Sequence, residues 1–161
     1  MKIIVFSDSH RDLDGMRQVI DREKPNYVFH LGDHDSDAEQ ISQAYPALPV
    51  AMVRGNCDGW SDTPTTLSFI LGSLRFFLCH GHTYGVKGGC LRAVYAAREQ
   101  NADVLLFGHT HEAYYDCMDS GQGGKLHILN PGSCGCGYRP SYGRIILEDG
   151  RITEMGCHSI S

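Results

Sequence analysis

The chain reads as an α/β fold in which two mixed β-sheets pack face to face with helices outside. Three features of its 161 residues lead there. Residues 2–53 alternate apolar runs with amphipathic segments in β-α-β-α-β order and short connections, the pattern of parallel strands joined by right-handed crossovers. Beyond residue 103 helical spacing gives way to successive short apolar runs, as in antiparallel hairpins. Along the whole length, five apolar runs stop at residues able to ligate a metal, and ligands bind at the carboxyl ends of such strands.

Residues 2–7 read as the first strand. Asp12 caps a helix to about Glu23, whose Met16, Val19 and Ile20 share one face, and Pro25-Asn26 ends it. Residues 27–31 are the second strand. Ser36 is expected to cap a short helix to about Ala44, stopped by Pro46, and residues 49–53 return as the third strand. Thr63 to Leu67 reads as loop. The runs 67–71 and 74–78 flank Gly72-Ser73 and read as a hairpin. Leu91 to Gln100 is a moderately amphipathic helix and 103–107 a strand. Further strands are expected at 113–117, 125–129, 143–148 and 151–157, the last two joined by Glu148-Asp149-Gly150 with its Asp-Gly turn. No repeat, low-complexity tract or linker interrupts the chain, so residues 1–161 are expected to form one domain.

Composition narrows the function. Apolar content of 42% and charged content of 20% are ordinary for a globular protein. A net charge of −5 disfavours long nucleic acid, which needs a basic face. No stretch approaches the ~18 apolar residues of a membrane span, and the first apolar run meets Asp8 too soon for a secretory signal. A cytoplasmic location is therefore expected. The seven cysteines include no C-x-x-C pair, so neither a disulfide framework nor a zinc ribbon fits. Most read as reduced thiols that behave as small apolar residues.

The candidate chemistry lies where the apolar runs stop. Ile3-Ile4-Val5-Phe6 leads to Asp8-Ser9-His10, and Tyr27-Val28-Phe29 through Gly32 to Asp33. Val50-Ala51-Met52-Val53 leads to Gly55-Asn56, Phe76-Phe77-Leu78 to His80-Gly81-His82, and Val104-Leu105-Leu106-Phe107 to Gly108-His109-Thr110-His111. Singly, each is ambiguous: Asp8 and Asp33 are common turn formers, and Gly-Asn is a turn. Together they hold six of the nine histidines, at positions 10, 34, 80, 82, 109 and 111. His30, His127 and His158 read as core, strand and tail residues. So many donors exceed the needs of one metal and point to two. Nitrogen and oxygen donors suit manganese, iron, cobalt, nickel or zinc better than calcium. Two divalent cations less the charges of Asp8 and Asp33 leave a positive site that grips a phosphate and lowers the pKa of a bridging water towards ~7.

These blocks resemble the calcineurin-like metallophosphoesterase superfamily, whose motifs are D-x-H, G-D, G-N-H-D/E, a later H, and G-H-x-H. Asp8-Ser9-His10, Gly32-Asp33, Gly55-Asn56-Cys57-Asp58, His80 and Gly108-His109-Thr110-His111 stand in that order. The Gly-Asn-Cys-Asp and Asn130-Pro131-Gly132-Ser133 blocks look like its small microbial phosphodiesterase branch. The resemblance implies a four-layer αββα sandwich and two divalent metal ions, manganese (Mn2+) foremost. It implies that Asp8, His10 and His111 bind one metal, that Asn56, His80 and His109 bind the other, and that Asp33 bridges. It further implies hydrolysis of small phosphodiesters by in-line attack of a metal-bridging hydroxide.

Cys57 stands where the wider superfamily has a histidine, and a thiol is a poor substitute for a cationic imidazole. The expectation is weak action on alkoxide leaving groups and better cleavage of aryl diesters. His82 is the nearest residue to supply a proton instead, alongside a purely structural role. Asn56, Asp33, His82 and Cys57 are thus the catalytic candidates. Two other readings stay open: a weakly active scaffold on the same fold, and a phosphomonoesterase or nuclease of short oligonucleotides. Trp60 could line the pocket mouth or a contact between subunits of a homo-oligomer.

Overall fold

A computed structural model describes residues 1–161. Ten strands and three helices run in the order β1 (Lys2–Phe6), α1 (Leu13–Glu23), β2 (Tyr27–His30), α2 (Asp35–Ala44), β3 (Val50–Met52), β4 (Thr66–Leu71), β5 (Leu74–Cys79), α3 (Leu91–Glu99), β6 (Val104–Leu106), β7 (Ala113–Asp119), β8 (Lys125–Pro131), β9 (Ser141–Glu148) and β10 (Arg151–Ser159). Two five-stranded sheets result, ordered β10-β9-β1-β2-β3 and β4-β5-β6-β8-β7. The first has β1, β2 and β3 parallel, with β9 antiparallel to β1; the second has β5, β6 and β8 parallel, with β4 and β7 antiparallel at its edges.

Side-chain alternation builds the layers, because successive residues of a strand face opposite sides. Ile3 and Val5 of β1 point between the sheets, joining Phe29, Leu31, Phe76, Leu78, Val104, Leu106 and Leu129 in the central core. Ile4 and Phe6 point the other way, onto Met16, Val19 and Ile20 of α1 and Ile41 of α2. Across the molecule Phe77, Leu105 and Ile128 turn outward onto Ala93, Val94 and Ala97 of α3. The order is helix, sheet, sheet, helix, the αββα sandwich expected. Each fully buried Leu, Ile or Phe contributes about 1.5–3 kcal/mol, so the central cluster and the two beneath the helices together hold the four layers. No helix is long and apolar enough to cross a membrane.

Asp12 caps α1 as expected, accepting from Gly15 N at 3.1 Å. Three local readings change. The helix α2 begins at Asp35, with His34 rather than Ser36 at its N-cap, in a left-handed conformation (φ 68°) and without a side-chain cap bond of its own. A cap from elsewhere removes the need for Ser36: Asp58 Oδ1 accepts from His34 N at 2.8 Å and Asp35 N at 3.2 Å. Thr66 is strand rather than loop, paired with Cys79, so the hairpin strand starts one residue before Leu67. Two short 3-10 turns, His82–Tyr84 and Val86–Gly88, follow β5 where no element was expected.

What the topology positions is one edge. Phe6, His30 and Met52 lie side by side at the carboxyl ends of β1, β2 and β3. Leu78, Leu106 and Leu129 do the same in the other sheet. Six parallel strands from two sheets therefore release their loops onto the same rim.

Candidate metal centre

The loop after β1 carries Asp8 and His10, the loop after β2 Asp33, and that after β3 Asn56 and Cys57. The other sheet supplies His80 and His82 after β5, and His109 and His111 after β6. Backbone bonds continue the sheets into these loops: Asp8 N donates to Gly32 O at 3.0 Å, and Gly108 N to His80 O at 2.9 Å. Of ten non-glycine residues with positive φ, seven lie here: Asp8, His10, Arg11, Asp33, His34, His109 and His111. Such conformations are uncommon outside glycine, though Asp and His adopt them more readily than most residues, and their concentration on one rim marks a site where surrounding bonds hold the backbone. The backbone is bent to aim side chains, not to satisfy local preference.

Two glycines make the close approaches. A Cβ on Gly108 would collide with Ser7 Oγ and lie 3.0 Å from Asp8 Oδ2, and one on Gly55 would collide with the Asp33 carboxylate. Both carboxylates rest against bare backbone.

The donors converge in two groups. In one, ligating atoms of Asp8, His10 and His111 lie within 4.8 Å of one another, and in the other those of Asp33, His80 and His109 do. His111 Nε2 is 3.1 Å from Asp8 Oδ1. His80 Nε2 is 3.1 Å from both Asn56 Oδ1 and His109 Nδ1, 3.4 Å from Asp33 Oδ2 and 3.8 Å from Asp8 Oδ1. The groups therefore adjoin through His80 and Asp8. Metal–ligand bonds of about 2.1 Å at right angles would put neighbouring ligand atoms about 3.0 Å apart, close to these spacings.

The hydrogen bonds fix which atoms are free to ligate. His80 Nδ1 donates to the Leu31 carbonyl at 2.8 Å, leaving Nε2 with its lone pair towards the cluster. His10 Nε2 is buried without a hydrogen-bond partner. Orphaned polar atoms of this kind are rare in protein interiors. A ring nitrogen so placed beside Asp8 and His111 fits a cation ligand.

Charge points the same way. Burial would lower the pKa of His80, but Asp33 and Asp8 more than offset it and hold it above the ordinary value. Burial would raise that of Asp33, but His80 and the Cys57 backbone hold it well below the carboxylate range. A cluster that draws protons to its imidazole also draws divalent cations. Burial and the neighbouring His80 push His109 down, towards the neutral form a metal ligand needs, and lower His82 beside it in the same way.

The remaining candidates flank the cluster. The His82 ring lies 5.4 Å from that of His80 and 6.1 Å from that of His109, and its Nδ1 is buried without a partner. Cys57 contributes its backbone, whose N–H donates to Asp33 Oδ1 at 2.9 Å. Its exposed thiol, 3.6 Å from Asn56 Nδ2, is pushed up to about 11 by desolvation and by Asp33. Trp60 stands fully in solvent beside a polar cleft lined by Arg11, His34 and Cys57.

Sequence reasoning missed the supports. Asp58 accepts from four backbone N–H groups, of Asp33, His34, Asp35 and Gly55 at 2.8–3.2 Å, and so ties the β2 and β3 loops together. Ser133 Oγ donates to Asp8 O at 2.8 Å, and Asn130 Nδ2 to Gly108 O at 3.0 Å. Behind the first loop, Ser9 Oγ bonds Asp37 Oδ2 at 2.6 Å and buried His30 Nε2 at 2.9 Å. Burial takes the pKa of His30 down to about 4, so it is a neutral strut.

This geometry has counterparts. Residues 1–149 match the family model of the calcineurin-like phosphoesterase superfamily domain. The chain belongs to that superfamily. It is 35% identical over 136 residues to the probable metallophosphoesterase YsnB of Bacillus subtilis, 83% of this chain and 75% of that one. It is 29% identical over 178 residues to a phosphodiesterase of Methanocaldococcus jannaschii, 96% of this chain and 98% of that one. It also superimposes, with TM-score 0.74 and 31% identity, on the crystal structure of a protein from Streptococcus pneumoniae TIGR4 described as a predicted phosphoesterase, covering 92% and 83% of the two chains. This calcineurin-like phosphoesterase is thus a metal-dependent enzyme, and its fold and candidate ligand groups agree with that membership.

Proposed function

We propose that the chain is a binuclear-metal phosphodiesterase acting on small phosphodiesters, with manganese its foremost metal. The observation that carries the reading is the adjacency of two ligand groups. Asp8, His10 and His111 would hold one cation, Asn56, His80 and His109 the other, and Asp33 would bridge. When bound, such a pair supplies Lewis acidity and lowers the pKa of a coordinated water enough for in-line attack on phosphorus at neutral pH.

The chain's own groups then set the substrate preference. Asp33 stays ionised, pinned by the Cys57 N–H. Two groups beside the cluster are the candidates to protonate a leaving oxygen, Cys57 and His82, and neither gives a proton readily near pH 7. The Cys57 thiol has its pKa raised by desolvation and Asp33, which makes it a weak acid. His82 is shifted towards its neutral form by burial and His80, and nearby cations would push it further. Esters whose leaving group departs without protonation, aryl diesters above all, are favoured. A relative named as a phosphodiesterase, aligned over nearly the full chain, supports the choice of diesters over monoesters.

The test is turnover of bis-(p-nitrophenyl) phosphate by manganese-reconstituted protein, beside Asp33→Ala and Asn56→Ala. Activity in the wild type and its loss in both variants is expected. Unimpaired activity in the variants would overturn the assignment. Negligible turnover of every phosphoester by fully loaded protein would favour the scaffold reading instead.

A further inference from the structure

Beside the late histidine loops lies a cleft of about 310 Å³ that no ligand residue lines. The second 3-10 turn after His80 supplies Val86, the N-cap of α3 supplies Cys90, and the chain around His109 and His111 supplies Phe107, Thr110, Ala113 and Tyr114. Its walls are thus extensions of the two segments that carry His80 and His109. Phe107 and Val86 are buried, whereas Tyr114 is 40% exposed. The Tyr114 ring tilts over Phe107, with centroids 6.5 Å apart and planes at 52°, and its hydroxyl donates to Asp116 Oδ2 at 3.0 Å. The ring is held by that bond at one end and lines the cleft.

The lining restricts what can enter. It contains no lysine or arginine, and its single charged residue is Glu112. The polar atoms of Asn130 are occupied: Nδ2 donates to Gly108 O and Thr110 Oγ1, and Oδ1 accepts from Gly132 N. A second phosphate or a carboxylate entering here would meet Glu112 and no cation. The volume lies at the lower end of the ~300–1,000 Å³ of small-molecule pockets, enough for a ring and too little for a polymer. Aromatic rings pack well in tilted or offset contact with side chains such as Phe107 and Tyr114.

We infer that this cleft is the binding site for an uncharged aromatic ester substituent of the substrate, seated against Tyr114 and Phe107 while its phosphate occupies the histidine loops. The inference rests on the phosphodiesterase reading for the position of the phosphate. It adds a determinant on a different element, β7 and the turns after β5, that selects among diesters.

Calorimetric titration of the manganese-loaded chain with diphenyl phosphate and with dimethyl phosphate tests it. The wild type should bind the diphenyl ester about tenfold more tightly, the scale of a few aromatic contacts. Tyr114→Ala, which removes a wall, and Ala113→Phe, which fills the mouth, should each reduce that preference to about threefold or less, with dimethyl phosphate binding unchanged. Both positions are exposed on the edge strand β7, so neither substitution threatens the core. Equal affinities in the wild type, or a preference that survives both variants, would overturn the inference. Tyr114-dependent binding without hydrolysis of any diester would refute the phosphodiesterase reading and keep the cleft. Vigorous hydrolysis of bis-(p-nitrophenyl) phosphate without a Tyr114-dependent preference would do the reverse.

Discussion

Replacing Asp58 by asparagine should damage stability and metal binding together, although Asp58 belongs to neither ligand group. The residue is 8% exposed, and its carboxylate accepts four backbone N–H bonds, Oδ2 from Asp33 and Gly55, Oδ1 from His34 and Asp35. In D58N one oxygen becomes an NH2 that faces two donors it cannot accept from, and the charge is lost. A hydrogen bond to a charged group contributes about 1.5–3 kcal/mol, and such bonds on one carboxylate do not add fully. The expected loss is therefore about 3–5 kcal/mol, the range for breaking a buried charged network. In a chain of this size the lower figure corresponds to a fall in Tm of about 6–12 °C. Thermal and urea unfolding of the metal-free chain measures it. Because the same bonds set the positions of Asp33 and Gly55-Asn56, manganese affinity should fall about 10–100-fold, as when a group supporting a ligand is removed. A variant within about 1 kcal/mol of wild type, with unaltered manganese affinity, would refute the claim that Asp58 ties the two loops together.

Gly108→Ala should weaken manganese binding about tenfold or more, read by calorimetry, because its methyl group meets Ser7 Oγ and Asp8 Oδ2. Manganese at 100 times its dissociation constant should stabilise the chain by about 2.7 kcal/mol, raising Tm by about 5–11 °C, and a chelator should abolish the shift. The same shift should shrink as pH falls below about 6.5, where protons compete for the histidine nitrogens. Away from the site, Glu23 accepts from Tyr142 Oη at 2.7 Å, Lys2 Nζ at 3.0 Å and Arg144 at 3.3 Å. Burial opposes its charge, but these partners hold its pKa below the ordinary 4.5. A group depressed on folding stabilises above its unfolded pKa and loses that contribution as pH falls through the folded one. The stability gap between wild type and Glu23→Gln should therefore be full near pH 7 and close below about pH 4.5, as urea titrations would show.

The layers and the ligand rim were legible because each rests on a local signal. Alternation in Ile3–Phe6 gives one residue set to the central core and another to α1, and the β-α-β order places three parallel strands together. Asp8, Asp33, Asn56, His80, His109 and His111 follow apolar runs directly, so strand ends mark them. Asp58, Ser133 and Asn130 were illegible as supports because an Asp, Ser or Asn in a turn usually bonds its own backbone. That Asp58 instead caps the helix after β2 depends on the approach of β3 to β2, which no local window contains. The misplaced cap at Ser36 is the same error seen from the other side. The positive φ at Asp8, Asp33, His109 and His111 is uncommon for any residue with a side chain, and no local pattern signals it. The cleft under Tyr114 depends on 3-10 turns that glycine-rich sequence leaves undetermined.

The most direct test of the account is the anomalous difference map of crystals soaked in manganese. Two peaks about 3.5–4 Å apart are expected, one among Asp8, His10 and His111 and the other among Asn56, His80 and His109, with Asp33 touching both. A single peak, or side chains pointing away from any bound ion, would contradict the paired centre on which the phosphodiesterase reading stands.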